Sequence, residues 1–383
     1  MSESKARPEA KGARRLVVKV GSGVLTRAGT LRPGVVSGLA AEATRLLDAG
    51  RQVVIVSSGA IAMGCRILGW DHPGRSIPEK QAAAAVGQIG LSELWRRQLR
   101  RNGREAAQVL VTRIDLDDRE RFLNARHTLL ELLRLGVVPV VNENDTVATE
   151  EIRFGDNDNL SATVVNLVGA DLLVILTDVD GLYAEPPGPQ GPTGEPIDVV
   201  EALTPELERA AAGSASAFGR GGMITKLQAV RSAAASGAAS VLANGRRKGT
   251  LTRVAAGEPE GTLFRAGSRI GSRKHWLAFT AKPRGRLLLD AGAVRAVRER
   301  GRSLLPAGIV TVEGRFGIGD AVACADDRGV EFARGLAAYA AEDVRRIKGL
   351  ATSQIGRVLG YSNGDEVIHR DDLVLLGAGP KNG

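Results

Sequence analysis

Short apolar segments alternate with longer amphipathic segments from residue 15 to about residue 245. The apolar segments are bounded by turn or polar residues and are apolar almost throughout, which is typical of strands buried on both faces. The predicted strands are Leu16–Val20, Gln52–Val56, Ala107–Val111, Val137–Val141, Leu172–Leu176 and Ser240–Ala243. The predicted helices are Val35–Ala49, Ala60–Leu68, Pro78–Arg101, Glu120–Leu135, Leu160–Gly169 and Gly222–Ser236. This alternation predicts an α/β fold with an open, mostly parallel sheet sandwiched by helices.

The pattern changes around residues 281–285, and shorter, strand-like segments follow. The predicted strands of this region are Gly285–Leu289, Gly308–Val312, Ala321–Ala323, Val330–Ala333 and Glu366–Ile368, with helices near Ala291–Arg300 and Ala341–Ile347. We therefore expect a basic tail over residues 1–14, an α/β domain over 15–282, a small β domain over 283–375 and a tail over 376–383. The Pro- and Gly-rich residues 183–197 are predicted to form a surface loop.

Composition excludes several classes of protein. With 383 residues, 43% hydrophobic and 25% charged, the chain is expected to form two or three globular domains. It has neither an apolar stretch of membrane-spanning length nor the apolar core of a signal peptide, so we expect a cytoplasmic location. Two distant cysteines and four scattered histidines argue against a disulfide framework and a Cys/His metal site.

The charge is unevenly distributed. The net charge is +9, with a basic run over residues 265–302 and an acidic segment over residues 142–160. The basic run is compatible with an anionic partner such as RNA or a nucleotide, or with a solvated basic surface. Aromatic residues make up only 3%, which leaves few side chains for stacking on single-stranded nucleic acid.

Familiar catalytic motifs are absent or occur in the wrong context. The chain contains no P-loop, no GxGxxG and no HExxH. Residues 360–364 match GxSxG, and residues 369–371 resemble part of a kinase catalytic loop. Both lack the flanking strand, helix and partner motifs that their chemistry requires. A nucleotide site in this chain therefore needs another arrangement.

Two glycine-containing segments carry lysines suited to phosphate. Lys19 lies near the end of the first predicted strand, before Gly21-Ser22-Gly23. Residues 220–226, Arg-Gly-Gly-Met-Ile-Thr-Lys, open a predicted helix and end in Lys226. Free backbone N–H groups at glycine turns and helix starts bind phosphate oxygens. Thr177 and Asp178 end another strand and are expected at the same edge of the sheet.

Polar clusters at two further strand ends suggest an amino acid site. Ser58 follows the second strand, where it serves either as a helix cap or as a ligand-binding group. Asn142-Glu143-Asn144-Asp145-Thr146 and Gly155-Asp156-Asn157-Asp158-Asn159 lie close together in sequence. Such residues form turns and caps, but carboxylate and amide groups concentrated here can also bind the ammonium and carboxylate of an amino acid. With the two lysines, they predict phosphoryl transfer without a P-loop.

These segments resemble the amino acid kinase family, and within it the kinases that phosphorylate glutamate. The matching segments are VVKVGSGVLT, VSSGAIAMG, KQAAAAVGQ, DRERFLNAR, PVVNENDTVAT, GDNDNLSA, LTDVDGLY and GGMITK. The resemblance implies ATP-dependent phosphorylation of the γ-carboxylate of L-glutamate, the first step of proline biosynthesis. It also implies Mg²⁺ on the nucleotide, feedback inhibition by proline and a homo-oligomer.

Residue roles follow from the same resemblance. Lys19 and Lys226 would stabilise the transferring phosphoryl group, and Asp158 would orient both lysines. Ser58, Asp145 and Asn157 would bind glutamate, with Asn142 nearby. The residues expected to contact ATP are Lys19, Gly21, Thr177, Asp178, Arg220, Gly221, Gly222, Met223, Ile224, Thr225 and Lys226.

The C-terminal region resembles a PUA domain, a small β pseudo-barrel best known from RNA-modifying enzymes. The resemblance lies in LLLDAGAVRAV, SLLPAGI and GRFGIGDAV. It makes RNA a further candidate partner. Two alternative functions stay open: an RNA-binding protein that acts through this region, and an amino acid kinase with a different carboxylate substrate.

Overall fold

The computed structural model describes residues 7–27, 30–148, 157–185, 194–204, 207, 222–267 and 271–376. The chain divides into two compact units, Met1–Arg269 and Ile270–Gly383. The predicted Pro- and Gly-rich loop falls partly outside the described residues, at positions 186–193. Among the described residues, no helix has the length and apolar character needed to cross a membrane.

The first unit is built on an eight-stranded sheet. Its strands are β1 (Arg15–Val20), β2 (Gln52–Ser57), β3 (Ala106–Val111), β4 (Val138–Glu143), β5 (Leu172–Thr177), β6 (Val199–Val200), β7 (Ala239–Asn244) and β8 (Thr262–Phe264). They lie in the order β3-β4-β2-β1-β5-β7-β8-β6. All pairs are parallel except β7 with β8. Every residue of β4 and β5 is buried, as expected for strands covered on both faces.

Helices connect these strands. They are α1 (Pro8–Gly12), α2 (Ser22–Leu25), α3 (Pro33–Asp48), α4 (Ala60–Ile67), α5 (Ile77–Arg101), α6 (Arg113–Asp117), α7 (Arg119–Arg134), α8 (Asn157–Val168), α9 (Met223–Ala235) and α10 (Thr250–Ala256). The six strands and six helices predicted for this region are confirmed, with bounds that differ by a few residues. The short β6, β8, α1, α2, α6 and α10 were not predicted, because so few residues give no clear periodicity.

Helices α4 and α5 pack unusually closely. A Cβ at Gly64 would overlap the carbonyl oxygen of Ala83, and a Cβ at Gly87 would overlap the carbonyl oxygen of Ala60. Only glycine at these two positions lets the helix backbones approach so far. The contact fixes α5 beside the end of β2, where the predicted amino acid site begins.

The N-terminal residues are part of the first unit from Arg7 onward. Arg7 is 2% exposed, and its guanidinium donates to the Asp198 carboxylate at 2.6 Å and to the carbonyl oxygens of Glu260 and Gly261 at 2.7 Å. Residues 1–14 were predicted to be a basic tail. The described part of that segment is instead anchored, because burying Arg7 requires these acceptors.

The second unit contains a five-stranded sheet and its own apolar core. Its strands are β9 (Gly285–Leu289), β10 (Ile309–Gly314), β11 (Ala321–Ala325), β12 (Glu331–Leu336) and β13 (Leu373–Leu375), in the order β10-β9-β11-β12-β13. Its helices are α11 (Ser272–His275), α12 (Ala291–Arg300), α13 (Ala341–Ile347) and α14 (Ile355–Leu359). The sheet is separate from that of the first unit, as predicted.

Two details of this unit differ from the sequence prediction. Glu366–Ile368 is not a strand: Val367 and Ile368 are fully buried, but Ile368 forms only an isolated bridge to Leu304. The strand that pairs with β12 is β13. Apolar content alone cannot distinguish a buried loop from a strand. The second difference concerns residues 276–280, which the sequence prediction assigned to the α/β domain. They form a π-helix that packs against β12 and β13, so they group with the second unit.

Candidate active site

Lys19 lies in the middle of the first sheet. It is the next-to-last residue of β1, whose neighbours are β2 and β5, and it is 6% exposed. Its register partners are Val56 and Ile175, so its ammonium emerges among apolar strand residues. A charge in such surroundings requires a partner of opposite charge.

Asp158 is that partner, and it binds a second lysine as well. It is fully buried in the first turn of α8. Its Oδ1 is 2.7 Å from Lys19 Nζ, and its Oδ2 is 3.2 Å from Lys226 Nζ. Lys226 lies in the first turn of α9 and is 8% exposed. One carboxylate thus bridges lysines from opposite ends of the first unit, and we call these three residues the ionic cluster.

The start of α9 adds a hydroxyl to this cluster. Thr225 Oγ1 lies 2.8 Å from Asp158 Oδ2 and 2.9 Å from the carbonyl oxygen of Gly222. The hydroxyl donates to one of these acceptors at a time. It therefore ties the helix start, and with it Lys226, to the buried carboxylate.

The carboxyl group of Asp158 is ionised at neutral pH. Burial by itself would raise the pKa of the Asp158 carboxyl, but the charges of Lys19 and Lys226 and hydrogen bonds from Lys19 and Thr225 lower it to about 2. Two ammonium groups around one carboxylate leave a net positive charge in a buried position. Such a site favours an anion, and its pull strengthens as negative charge builds up on that anion.

Space beside Lys19 is left open by a glycine. The Gly21 N–H donates to the carbonyl oxygen of Leu176 at 3.1 Å, and α2 begins at the next residue. A Cβ at Gly21 would lie 3.2 Å from that oxygen and 3.6 Å from Lys19 Nζ. Any larger residue would crowd the strand and enter the space next to the ammonium.

A group of neutral side chains lies where β2 and β4 end. The Asn157 amide donates to Ser58 Oγ at 2.8 Å and to Asn142 Oδ1 at 3.0 Å, and Asn142 is 2% exposed. We call Ser58, Asn142 and Asn157 the amide cluster. It joins the ionic cluster through the peptide bond between Asn157 and Asp158. The residues predicted for phosphate and those predicted for an amino acid therefore meet at the start of α8.

Asp145 lies half-buried in the turn that follows β4. The Asn144 N–H holds the start of this turn by donating to the carbonyl oxygen of Val111 at 2.9 Å. The Gln81 side chain of α5 holds its end by donating to the carbonyl oxygen of Ala148 at 3.1 Å. Residues 149–156, including Gly155 and Asp156 of the second polar cluster, are outside the described residues.

The side chains expected to contact a nucleotide lie beyond β5 and at the start of α9. Thr177 is 6% exposed, and its hydroxyl donates to Asp178 Oδ1 at 3.3 Å. Asp178 is half-exposed, and its Oδ2 is 3.4 Å from Arg246 Nη2. Gly222 caps α9, which begins with Met223 and Ile224. Arg220 and Gly221 fall outside the described residues.

Two residues of this region were missed in the sequence. Gln88 on α5 accepts from the Asn142 amide at 2.9 Å, and Arg246 donates to the carbonyl oxygen of Gly23 at 2.9 Å. Gln88 is a polar residue inside the run AAAAVGQIG, which is a usable signal for a functional side chain. Arg246 stands in a basic turn, and nothing local distinguishes it from a solvated surface arginine.

Among the residues that the structure describes, no three His, Cys, Asp or Glu side chains are grouped so that they could hold a metal ion. Both cysteines, Cys65 and Cys324, are buried free thiols. Mg²⁺ held chiefly by phosphate oxygens requires only one or two protein carboxylates and is compatible with these residues.

Comparison with known proteins gives consistent results for both units. Residues 14–244 match the model of the amino acid kinase family, and residues 285–359 match the PUA domain model. A glutamate 5-kinase of Geobacter sp. (strain M21) is 51% identical over 368 residues, which cover 96% of this chain and 98% of the relative. Glutamate 5-kinases of Nitrosococcus oceani and Ralstonia pickettii are 51% and 50% identical over 372 and 366 residues, covering 97% and 95% of this chain and 99% and 98% of theirs.

Proposed function

The chain belongs to the amino acid kinase family and within it to the glutamate 5-kinases, and we propose that it phosphorylates the γ-carboxylate of L-glutamate with ATP. The product is L-glutamyl 5-phosphate, and the reaction is the first step of proline biosynthesis. The observation that carries the mechanism is the ionic cluster, in which Asp158 bridges Lys19 and Lys226.

The chemistry consists of one substitution at phosphorus. A γ-carboxylate oxygen of glutamate forms a bond to the γ-phosphorus of ATP, and the bond from that phosphorus to the bridging oxygen of ADP breaks. The carboxylate is already ionised at neutral pH, so its attack needs no general base. Catalysis then consists of positioning and charge stabilisation, as in other phosphoryl transfers.

The ionic cluster supplies the charge stabilisation. Lys19 and Lys226 donate to oxygens of the transferring group and of the leaving ADP, where negative charge is redistributed in the transition state. Asp158 binds neither substrate; it holds the two ammonium groups in place before the reaction begins. Because the site is buried, these charges are weakly screened by water.

The amide cluster and the turn after β4 bind glutamate. Ser58, Asn157 and the Asp145 carboxylate contact the amino acid, and Asn142 supports Asn157. Asp145 pairs with the α-ammonium, which is remote from the reacting carboxylate. The hydrogen bonds among Ser58, Asn142 and Asn157 support this assignment, since they fix the side chains before substrate arrives.

ATP lies along the ends of β1 and β5 and the start of α9. The backbone N–H groups in the first turn of α9 and the lack of a side chain at Gly21, next to Lys19, are suited to phosphates. The contacting residues are Lys19, Gly21, Thr177, Asp178, Arg220, Gly221, Gly222, Met223, Ile224, Thr225 and Lys226. Mg²⁺ bound to the nucleotide phosphates would neutralise part of their charge.

Regulation and partners extend this proposal. Proline, the end product of the pathway, inhibits at or near the glutamate site, and the enzyme works in the cytoplasm as a homo-oligomer. The exposed side chains of Ile67 and Ile89, which are 55% and 76% exposed, support a contact between subunits. RNA binding is a second candidate activity, assigned to the second unit, where Arg295, Arg298 and Arg300 of α12 are exposed.

The reaction is tested by incubating the purified chain with ATP, Mg²⁺ and L-glutamate and trapping the acyl phosphate as its hydroxamate. Aspartate and acetylglutamate are run in parallel. Hydroxamate formed from glutamate alone supports the proposal, whereas preference for another carboxylate would assign a different substrate. Absence of any ATP-dependent product, with RNA binding that weakens steeply as salt rises, would favour the RNA-binding alternative.

A further inference from the structure

Three side-chain amides form a chain from helix α5 to the proposed glutamate site. Gln88 Nε2 donates to Ser92 Oγ at 3.0 Å, and Gln88 Oε1 accepts from Asn142 Nδ2 at 2.9 Å. Asn142 Oδ1 in turn accepts from Asn157 Nδ2 at 3.0 Å. Along this chain, the oxygen of Gln88 and the oxygen of Asn142 each accept from the amide that is one step nearer the glutamate site. The nitrogen of each amide donates in the opposite direction. The orientation of one amide therefore sets the orientation of the next.

A backbone carbonyl identifies which end of the Asn157 amide is the nitrogen. The same Asn157 group that faces Ser58 Oγ and Asn142 Oδ1 also lies 3.4 Å from the carbonyl oxygen of Ser57. Hydroxyl and amide partners are compatible with either end of an amide, but a backbone carbonyl only accepts. The group that faces Ser57 is therefore the NH₂ group.

The oxygen of Asn157 is therefore the end of the amide that faces none of these three acceptors. Asn157 Oδ1 is buried and has no hydrogen-bond partner among the described residues. A buried acceptor without a donor is unfavourable, so the position favours a ligand that brings one. At neutral pH the α-ammonium is the one donor group of glutamate, because both carboxylates are acceptors.

We propose that the chain Gln88–Asn142–Asn157 presents Asn157 Oδ1 as a hydrogen-bond acceptor for the α-ammonium of glutamate. This inference rests on the proposed function and adds two points to it. Asn157 recognises the ammonium, although an amide in this site was expected from the sequence to face a carboxylate. Gln88, which is on another helix, is a positioning residue that selects for amino acids over simple dicarboxylates.

The variant Gln88→Met tests the proposal, because methionine has a similar shape but no amide acceptor for Asn142. Without that acceptor, Asn142 and then Asn157 are free to turn over. We expect the KM for glutamate to rise about ten-fold while the KM for ATP and kcat stay nearly unchanged. The inhibition constant of glutarate, a dicarboxylate of the same length without an ammonium, should not change.

Two further variants separate positioning from a general effect on α5. Gln88→Glu keeps an acceptor oxygen facing Asn142, and the Ser92 hydroxyl can turn to donate to it, so the KM for glutamate should return close to that of the wild type. Gln98→Met is the matched control: it is the same substitution at a buried glutamine of the same helix, outside the chain of amides. It should leave both constants unchanged.

Several outcomes would overturn the proposal. An equal weakening of glutamate and glutarate in Gln88→Met would mean that Asn157 faces a carboxylate. Unchanged constants in a folded Gln88→Met protein would mean that the chain does not position Asn157. If Gln88→Met does not fold, the wild-type protein still tests the proposal. If glutarate binds to it as tightly as glutamate does, no acceptor recognises the ammonium. Failure of the proposed function would be distinguishable from failure of this inference, because the wild-type protein would then form no glutamyl hydroxamate.

Discussion

The ionic cluster and the amide cluster are adjacent in the structure but are built from different chemistry. The first consists of three charged residues, each no more than 8% exposed, and the second of a hydroxyl and two neutral amides. Buried charges are costly to assemble, and they are useful where charge is redistributed during a reaction. Neutral amides fix the direction of donors and acceptors, which suits recognition of a substrate whose charge there does not change. The difference predicts that substitutions in the two clusters affect different kinetic constants.

The largest effect is expected from removing either lysine of the ionic cluster. Lys19→Ala and Lys226→Ala should each lower kcat by roughly 10²–10³, the range for loss of one preorganised charge stabiliser. Steady-state kinetics of the purified variants measures this, with Lys348→Ala of the second unit, an exposed lysine, as control. Near-normal turnover in either folded variant would remove that lysine from the mechanism.

Asp158→Asn should have the next largest effect. It removes the charge that holds both ammonium groups while keeping the size of the side chain, and a misplacement of catalytic groups by about 1 Å costs on the order of 10² in rate. We expect a lower kcat with little change in the KM for glutamate. A change confined to that KM would place Asp158 in the binding of the amino acid instead.

An aspartate-to-asparagine substitution in the turn after β4 should change the KM for glutamate rather than kcat. Asp145→Asn removes a contact made equally in the ground and transition states, so the KM for glutamate should rise roughly ten- to hundred-fold. The kcat and the KM for ATP should stay nearly unchanged. Compared with Asp158→Asn, this variant is the sharpest test of the contrast between binding and catalysis; a rise in the KM for ATP alone would assign the turn to the nucleotide.

The stability of the fold at acid pH is a test of the ionic cluster that does not depend on kinetics, and its expected effect is smaller. The folded pKa of Asp158, about 2, is below its ordinary value of 3.8, so the ionised carboxylate stabilises the fold above pH 4. This contribution, on the order of 2 kcal/mol, is lost as pH falls through 2. Urea unfolding between pH 5 and 2 should show that the free energy of unfolding falls more steeply with decreasing pH in wild type than in Asp158→Asn. Parallel curves would mean that the carboxyl is not perturbed.

The smallest effect is expected from removing the second unit. A chain ending at Ala281 retains all the candidate catalytic residues and should still phosphorylate glutamate. A chain ending at Gly267 should do so with less aggregation. Trp276 and Leu277 are buried and belong to the second unit, so a chain that ends at Ala281 would expose them. Loss of activity in both soluble, folded truncations would show that the second unit is required for catalysis.

Much of the first unit was predictable because its signals are local. Apolar runs of strand length and helical periodicity depend on neighbouring residues, and six strands and six helices were found in this way. Lys19, Asp158 and Lys226 stood out because each lies near a strand end or a helix start, in or beside a polar or glycine-containing segment. Strands of two or three residues, such as Val199–Val200, carry no such signal.

The sequence by itself determined which chemistry the chain carries: lysines and glycines for phosphate, and acids and amides for an amino acid. Only the tertiary structure decided which of these groups meet. One carboxylate lies between lysines from distant segments, Gln88 reaches Asn142 from another helix, and Arg7 is anchored rather than free. The direction of the Asn157 amide also depends on the carbonyl of Ser57. These contacts join residues far apart in the chain, and they follow from how strands order within the sheet and how closely α4 and α5 pack, neither of which a local pattern encodes.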